Sequence, residues 1–293
     1  MDTIDHFRIY QLIKEKVSLS LMNDNTTTNK PTNTWTLGSY NEIALFLLPV
    51  SAHLVRLCNI SSNDNVLDVA CGTGNTAITA KRLKRGAKVT GVDFTPELLA
   101  QAKEEASLAE AEGIEWKEGN VQDLPFEDET FDVVLSSFGH MFAPNPEIAI
   151  KEMLRVTKRD VGRIAFATWP SELINGKLFE VMAKYISSSS STSPSITPSP
   201  MQWGNPEVVQ KRLGDNTKNI HFERGLVRIP LLSPNHYWKM MSTKSGPIIQ
   251  AIQTLKDAQK IESLKKDILQ AIVPYTQDNA LRLDYLITSA VKK

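Results

Sequence analysis

The sequence has few of the features that mark secreted, membrane or nucleic-acid-binding proteins. Its 293 residues contain two cysteines, Cys58 and Cys71, which are too few and too far apart for a disulfide framework. The 33 basic residues balance 33 acidic ones, so no net field attracts nucleic acid or an anionic membrane. The acidic opening stretch MDTIDHF predicts no secretory leader, and no apolar run has the length of a membrane span. We therefore expect a cytoplasmic protein without nucleic acid or stable membrane insertion among its partners.

What the sequence does have is a regular alternation of strand and helix patterns. The strand patterns cover residues 65–69, 88–93, 114–118, 131–136 and 163–168, and the helical patterns cover 75–85, 96–112 and 147–156. This alternation predicts right-handed crossovers and a mostly parallel sheet with helices on both faces. We expect an α/β fold with a Rossmann-like, doubly wound sheet, whose ligands lie beyond the carboxyl ends of the strands.

The remaining segments predict a cap around this core. We expect an N-terminal helix and flexible linker in residues 1–33, the core in 34–170, a helical cap or lid in 171–280 and the final core strand in 281–293. The cap includes a Ser/Pro-rich loop at 187–200, whose composition cannot pack a core. After that loop we expect a strand pair near 221–231, helices within 234–272 and a last strand near 284–291.

The stretch NVLDVACGTGNTAITAKRL, residues 65–83, places Gly72 and Gly74 between a buried strand and a helix. Glycine lets the backbone adopt a positive φ or approach a ligand closely, and the next helix starts with free N–H groups. Asp68, at the end of the strand, suits an ammonium group and disfavours a pyrophosphate. Asp93 ends the second strand, where a carboxylate can accept bonds from both ribose hydroxyls. An amino acid joined to a nucleoside satisfies both acids, whereas a plain structural turn, with Asp93 as a helix cap, is the alternative.

Four stretches resemble the class I S-adenosylmethionine-dependent methyltransferases of the type 11, small-molecule kind. They are VLDVACGTGNTA, VTGVDFTPELLAQAKEEA, EGNVQDLPFEDETFDVVLSSF and EIAIKEMLRVTKRDVGRIAFATW, which follow the family's order over residues 65–169. TWTLGSY and SPMQWGNPE resemble, more loosely, a ubiquinone and menaquinone methyltransferase-like subgroup. The resemblance implies a seven-stranded sheet whose last strand is antiparallel. It also implies S-adenosylmethionine as cofactor and S-adenosylhomocysteine as product.

The same resemblance assigns the cofactor-binding residues. Asp68, Gly72 and Gly74 would face the methionine part, Asp93 the ribose and Phe94 the adenine; Asn120 and Val121 would read the adenine edge, Ser136 would lie near the methionine amine, and Ala70, Thr73, Gln122 and Tyr40 would complete the set. The family usually has aspartate at the position of Asn120, so we expect a weaker adenine contact there. The turn KRDVG is one residue longer than the family's P-G-G turn, at the far end of the sheet.

No catalytic triad and no metal-ligand spacing is visible in the sequence, and we expect no metal site. His140 follows the fourth strand and is the candidate general base, with a packing role as the alternative. Trp35 and Tyr40 either line the pocket or staple the N-terminal helix. Some of the aromatic and methionine residues of the cap should face an apolar acceptor, the candidates being Trp203, Tyr237, Trp238, Met240 and Met241.

The resemblance implies methyl transfer to a small-molecule acceptor by in-line displacement, in a monomer or homodimer. A quinone-like, phenolic or lipid-like acceptor fits the subgroup, and small amines and carboxylates stay open. One alternative is an NAD(P)-dependent oxidoreductase, which shares the acid after the second strand but should lack Asp68 and the stretch LPFEDETFDVVLSS. The other is a non-catalytic protein that binds S-adenosylmethionine.

Overall fold

A computed structural model describes residues 33–187 and 199–293. The helix and linker expected in residues 1–33 and most of the loop expected at 187–200 lie outside the described residues. The strands are β1 Asn65–Val69, β2 Lys88–Asp93, β3 Ile114–Glu118, β4 Val133–Ser137, β5 Arg163–Thr168, β6 Thr217–Pro230, β7 Thr276–Gln277 and β8 Ala280–Lys292. They form a single sheet in the order β3-β2-β1-β4-β5-β8-β6, and the two-residue β7 pairs with β8.

The sheet confirms the predicted α/β architecture. Strands β1 to β5 pair in parallel, while β8 is antiparallel to both β5 and β6. The last strand in the chain is thus the antiparallel one, and it lies between β5 and β6. The addition of β7 gives eight strands where seven were expected.

The strand pair expected near residues 221–231 is wrong, because this segment belongs to one long strand. β6 runs without a turn from Thr217 to Pro230 and pairs with β8 along its length, with a register shift between Lys218 and His221. The expected strand pair would need a turn within residues 221–231, a range that contains Gly225. In the structure a Cβ at Gly225 would lie 2.2 Å from Cζ of Tyr285, so this glycine makes room for a ring on the neighbouring strand.

Helices cover both faces of the sheet and build the cap. They are α1 Tyr40–Ala44, α2 Leu48–Leu57, α3 Asn75–Leu83, α4 Pro96–Leu108, α5 Pro146–Val156, α6 Ile174–Ser187, α7 Pro206–Leu213, α8 Pro234–Lys244, α9 Gly246–Leu255 and α10 Ala258–Ile272. Asn145, Asn205 and Asp257 each accept two backbone hydrogen bonds at a helix start, as good N-caps do. α4 ends at Leu108, four residues before its predicted end, because Glu110 and Gly113 adopt positive φ.

The core lies on both faces of the parallel strands. Val66, Leu67 and Val69 of β1 are fully buried, which explains why a parallel strand reads as a nearly continuous apolar run. In the cap, α6, α8, α9 and α10 pack on one another. Residues Asn33–Lys293 form one compact unit, so the division of this unit into core and cap stays a proposal. Among the described residues, no helix is long and apolar enough to cross a membrane.

Candidate active site

A cavity of about 580 Å³ opens at the carboxyl ends of β1, β2 and β4, where parallel sheets bind their ligands. Its volume is within the range of small-molecule sites. One part, the strand end of the cavity, is lined by Asp68, Ala70, Cys71, Gly72, Thr73, Asp93, Phe94, Asn120 and Val121. The facing part, here called the cap wall, is lined by Asn175, Leu178, Phe179, Met182, Met201, Tyr237, Met240, Met241, Ser245, Pro247, Ile248 and Ile268.

The bend after β1 exposes bare backbone to this cavity. Ala70 and Gly72 have φ of 52° and 55°, and a Cβ at Gly72 would meet only Cε1 of Tyr40, at 3.6 Å. Cys71 fixes the bend, because its N–H donates to the carbonyl of Val92 and its own carbonyl accepts from the N–H of Gly74. The backbone at Gly72 is therefore held open for a ligand to approach.

Gly74 has a different role. It has a φ of 84° and precedes α3, but a Cβ there would lie 2.5 Å from Cη2 of Trp116 and 3.1 Å from Cβ of Ala102. Gly74 is also absent from the cavity lining. The residue lacks a side chain because Trp116 and α4 pack on it, so the structure does not support the expected contact with the methionine part.

Asp93 connects the loop to the second strand. One carboxylate oxygen accepts from the N–H of Gly72 at 2.8 Å, and the other accepts from the N–H of Thr95 at 2.9 Å. The carboxyl group is 5% exposed; burial raises its pKa, and the hydrogen bonds oppose that rise. Since each carboxylate oxygen has a second lone pair, Asp93 can still accept bonds from a ligand in the cavity.

Asp68 has an oxygen without a partner. Its Oδ2 accepts from the N–H of Ala77 at 2.9 Å, whereas Oδ1 is enclosed and has no hydrogen bond from any residue that the structure describes. Burial raises the pKa of Asp68 to about 8, the bond from Ala77 lowers it, and the nearby charge of Asp93 raises it again. A buried, unpaired carboxylate oxygen is costly on its own, and a cationic group at this end of the cavity would satisfy it.

The chain is similar in sequence to known methyltransferases over the part that contains this site. Residues 67–166 match the family described as the methyltransferase domain, and this range contains Asp68, the glycine bend and Asp93. Over 105 residues the chain is 37% identical to demethylmenaquinone methyltransferase from Bacillus cytotoxicus, a stretch that covers 36% of this chain and 44% of that protein. Residues 67–166 therefore form a methyltransferase domain of the class I, S-adenosylmethionine-dependent kind.

Two further comparisons cover most of the chain, including the cap. An uncharacterised protein from Mycobacterium tuberculosis is 34% identical over 261 residues, which cover 88% of this chain and 92% of that protein. The crystal structure of a putative methyltransferase from Bacillus halodurans shares the fold, with a TM-score of 0.52 and 20% identity over 82% of this chain and 97% of that one. The similarity therefore extends beyond the core into the cap.

The residues expected at the adenine of the methyltransferase cofactor are only partly brought together. Phe94, 52% exposed, lines the cavity with Asn120 and Val121. The side-chain oxygen of Asn120 already accepts from the N–H of Gln122 at 2.9 Å. Gln122 does not line the cavity, and its side-chain oxygen instead accepts from the N–H of Asn145 at the start of α5.

Two other expected site residues lie away from the cavity. Ser136 is buried; its hydroxyl donates to the carbonyl of Val69 and accepts from the N–H of His140, so it joins β4 to β1. His140 is fully buried between the rings of Phe166 and Trp203. Burial, and then the charge of Arg212, lowers the pKa of His140 to about 3. Because it does not touch the cavity, the structure gives it a packing role and no contact for a general base.

Further aromatic, polar and cap residues complete the lining of the cavity. Trp35 and Tyr40 line the cavity, and the ring of Trp35 lies 5.0 Å from that of Phe142. Of the cap residues expected at the acceptor, Tyr237, Met240 and Met241 line the cavity, whereas Trp203 and Trp238 do not. Sequence reasoning missed Ser137 and Asn175, since a lone serine or asparagine carries no periodic signal.

Proposed function

We propose that this methyltransferase transfers a methyl group from S-adenosylmethionine to a small, neutral acceptor with a largely apolar body, of the quinone-like, phenolic or lipid-like class. One observation carries the proposal: a single cavity joins the two acids of the strand end to a cap wall without charged residues. A region suited to an ionic ligand part and a region suited to an apolar one thus lie side by side in one cavity.

The strand end fits the cofactor. The unpaired Oδ1 of Asp68 suits the ammonium group of the methionine part, and the free lone pairs of Asp93 suit the ribose hydroxyls. Phe94 and Val121 offer an aromatic face and backbone to the adenine. The open backbone at Gly72 lets the cofactor approach between these groups.

The cap wall favours a neutral acceptor. Among the described residues that line the whole cavity, Asp68 and Asp93 are the only ones of the Asp, Glu, Lys, Arg and His types. An amine or carboxylate acceptor would lose its hydration at the cap wall without a counter-ion, which is costly. A quinone-like or phenolic ring keeps its contacts with Phe179, Met182 and Met240 and leaves no charge unpaired.

The chain contributes positioning and exclusion of water. When bound, S-adenosylmethionine supplies a methyl group on a positively charged sulfur. The bend at Gly72 and the acid Asp93 hold the donor, and the cap wall aligns the acceptor with it, which lowers the entropic part of the barrier. Burial raises the pKa of Tyr40 to about 12, so this lining phenol stays protonated at neutral pH and acts as a hydrogen-bonding group.

The test has two stages. Calorimetry should show that S-adenosylhomocysteine binds and that NADH does not, and the reverse result would favour the oxidoreductase. Turnover is then followed as S-adenosylhomocysteine released from S-adenosylmethionine with naphthols, quinols and alkylphenols, and with histamine and glycine as charged comparisons. Activity with the ring compounds alone supports the proposal. Activity with the charged compounds alone contradicts it, and binding without turnover favours a non-catalytic role.

A further inference from the structure

The cap wall is apolar except at three residues: Asn175, Tyr237 and Ser245. Asn175 lies at the start of α6, and Tyr237 lies in the first turns of α8. Ser245 lies between α8 and α9. Its small hydroxyl rotates freely to donate or accept, so it selects least among ligands. Asn175 and Tyr237 are the larger groups, and neither has a structural duty that explains why a polar atom stands in this wall.

The amide nitrogen of Asn175 has no protein partner. Its Nδ2 is enclosed and makes no hydrogen bond with any described residue, and the residue lines the cavity. The last torsion of an asparagine is broad and two-fold, so a half turn exchanges the amide nitrogen and oxygen at the cavity. Buried amides without partners are costly, and a ligand oxygen in the cavity would remove that cost.

Tyr237 is the second larger polar group of the cap wall. The residue is 3% exposed, and its hydroxyl makes no hydrogen bond with the described part of the chain. Burial is the one cause that raises the pKa of this phenol, and no neighbouring charge contributes. The hydroxyl therefore stays protonated and can donate to a ligand oxygen or accept from a ligand hydroxyl.

We propose that Asn175 and Tyr237 are specificity-determining residues that bind a hydroxyl or carbonyl oxygen on the ring of the acceptor. This inference rests on the proposed function, since it concerns the acceptor half of the same cavity. A purely apolar pocket rejects analogues weakly, whereas a site built to hydrogen-bond an oxygen rejects an analogue that lacks it, because the polar groups of the site are then left unpaired. The two side chains thus select oxygenated rings over plain hydrocarbons of the same shape.

The test uses two fluorescent probes of matched shape, 2-naphthol and 2-methylnaphthalene, titrated into the complex with S-adenosylhomocysteine. We expect the wild type to bind 2-naphthol about tenfold more tightly, the preference that one neutral hydrogen bond supports. Tyr237→Phe and Asn175→Leu should each lower the affinity for 2-naphthol about five- to tenfold without lowering that for 2-methylnaphthalene. Met182→Leu, in the apolar part of the wall, is the control and should change both affinities alike.

Several outcomes would overturn the proposal. They are equal wild-type affinity for the two probes, no 2-naphthol binding at all, or an equal loss for both probes in the variants, which would indicate a packing role. Tyr237→Phe removes one buried oxygen and keeps the ring, so it carries the test if Asn175→Leu fails to fold. Calorimetry with S-adenosylhomocysteine distinguishes failure of this inference from failure of the proposed function. Wild-type protein that does not bind S-adenosylhomocysteine would refute the proposed function itself.

Discussion

The backbone nitrogen of Gly72 donates a 2.8 Å hydrogen bond to the carboxylate of Asp93, a residue 21 positions further along the chain. This bond joins the bend after β1 to the end of β2. The acid expected at the ribose therefore also fixes the loop expected at the methionine part. Cofactor affinity and loop conformation should consequently change together when Asp93 is replaced.

Asp93→Ala should lower the affinity for S-adenosylhomocysteine by about 100-fold and destabilise the protein by about 1–3 kcal/mol, because the buried N–H of Thr95 and the partly buried N–H of Gly72 lose their acceptor. Asp93→Asn should have an affinity and a stability between those of Asp93→Ala and the wild type, since its side chain keeps one acceptor oxygen. Calorimetry and urea unfolding measure the two effects. Glu104→Gln removes an exposed charge on α4 and is the control. Wild-type affinity in Asp93→Ala would remove Asp93 from the site.

Alanine at three glycines should separate ligand access from packing. Gly74→Ala should cost about 2–4 kcal/mol of unfolding free energy, since it adds a clash with Trp116 to the strain of a positive φ. Gly113→Ala has a φ of 76°, and the nearest atoms to its Cβ are the end of the Lys81 side chain at 3.9 Å, so about 1–2 kcal/mol is expected. Gly72→Ala should resemble Gly113→Ala in stability and lose most of its affinity for S-adenosylhomocysteine.

Those three variants are compared by urea unfolding and calorimetry. Trp116→Leu in the Gly74→Ala background should recover part of the lost stability, because the smaller side chain leaves room for the new Cβ. An equal destabilisation of Gly74→Ala and Gly113→Ala would show that Trp116 does not constrain the bend.

Asp68→Asn should stabilise the ligand-free protein increasingly as the pH rises. The pKa of Asp68 is about 8 in the fold, against 3.8 as the ordinary value. Between these values the folded carboxyl keeps a proton that the unfolded chain releases, so wild-type stability falls as the pH rises from about 4 to 8. The amide has no such proton. Melting temperatures of both proteins from pH 4 to 8.5 should diverge across this window and run parallel above it.

The same Asp68→Asn variant should bind S-adenosylhomocysteine at least tenfold more weakly, because the ammonium group of the ligand loses its counter-charge. Stability and affinity then move in opposite directions. If the variant were both less stable and unchanged in affinity, Asp68 would be a structural residue only.

His140→Leu should leave cofactor binding and turnover unchanged and should weaken the acid sensitivity of folding. The pKa of His140 is about 3 in the fold and 6.5 ordinarily. As the pH falls from 6.5 towards 3, the unfolded chain gains a proton that the folded chain refuses, so wild-type stability is lost across this window. The unfolding free energy measured with urea should fall between pH 7 and pH 4.5 in both proteins. The fall should be about 2–3 kcal/mol smaller in the variant. A large loss of turnover would restore His140 as a catalytic candidate.

The sequence alone determined the layers of the protein and the acids at their edge. Strands β1, β2, β3 and β5 have the bounds expected from their patterns, because apolar runs, glycine turns and helix caps are local signals. The positions of Asp68 and Asp93 follow from the same signals, since parallel strands end at one edge of a sheet.

Only the tertiary structure decided which neighbours of these acids face the ligand. Gly72 and Gly74 look alike in the sequence, and Trp116, a residue distant in the chain, makes one a packing glycine while the other borders the cavity. His140 follows β4, whose carboxyl end lies at the cavity, yet the rings of Phe166 and Trp203 enclose it. Gly225 lies within the expected strand pair but belongs to a continuous strand beneath Tyr285. In each case a contact between residues far apart in the chain sets the role, and no local pattern records such a contact.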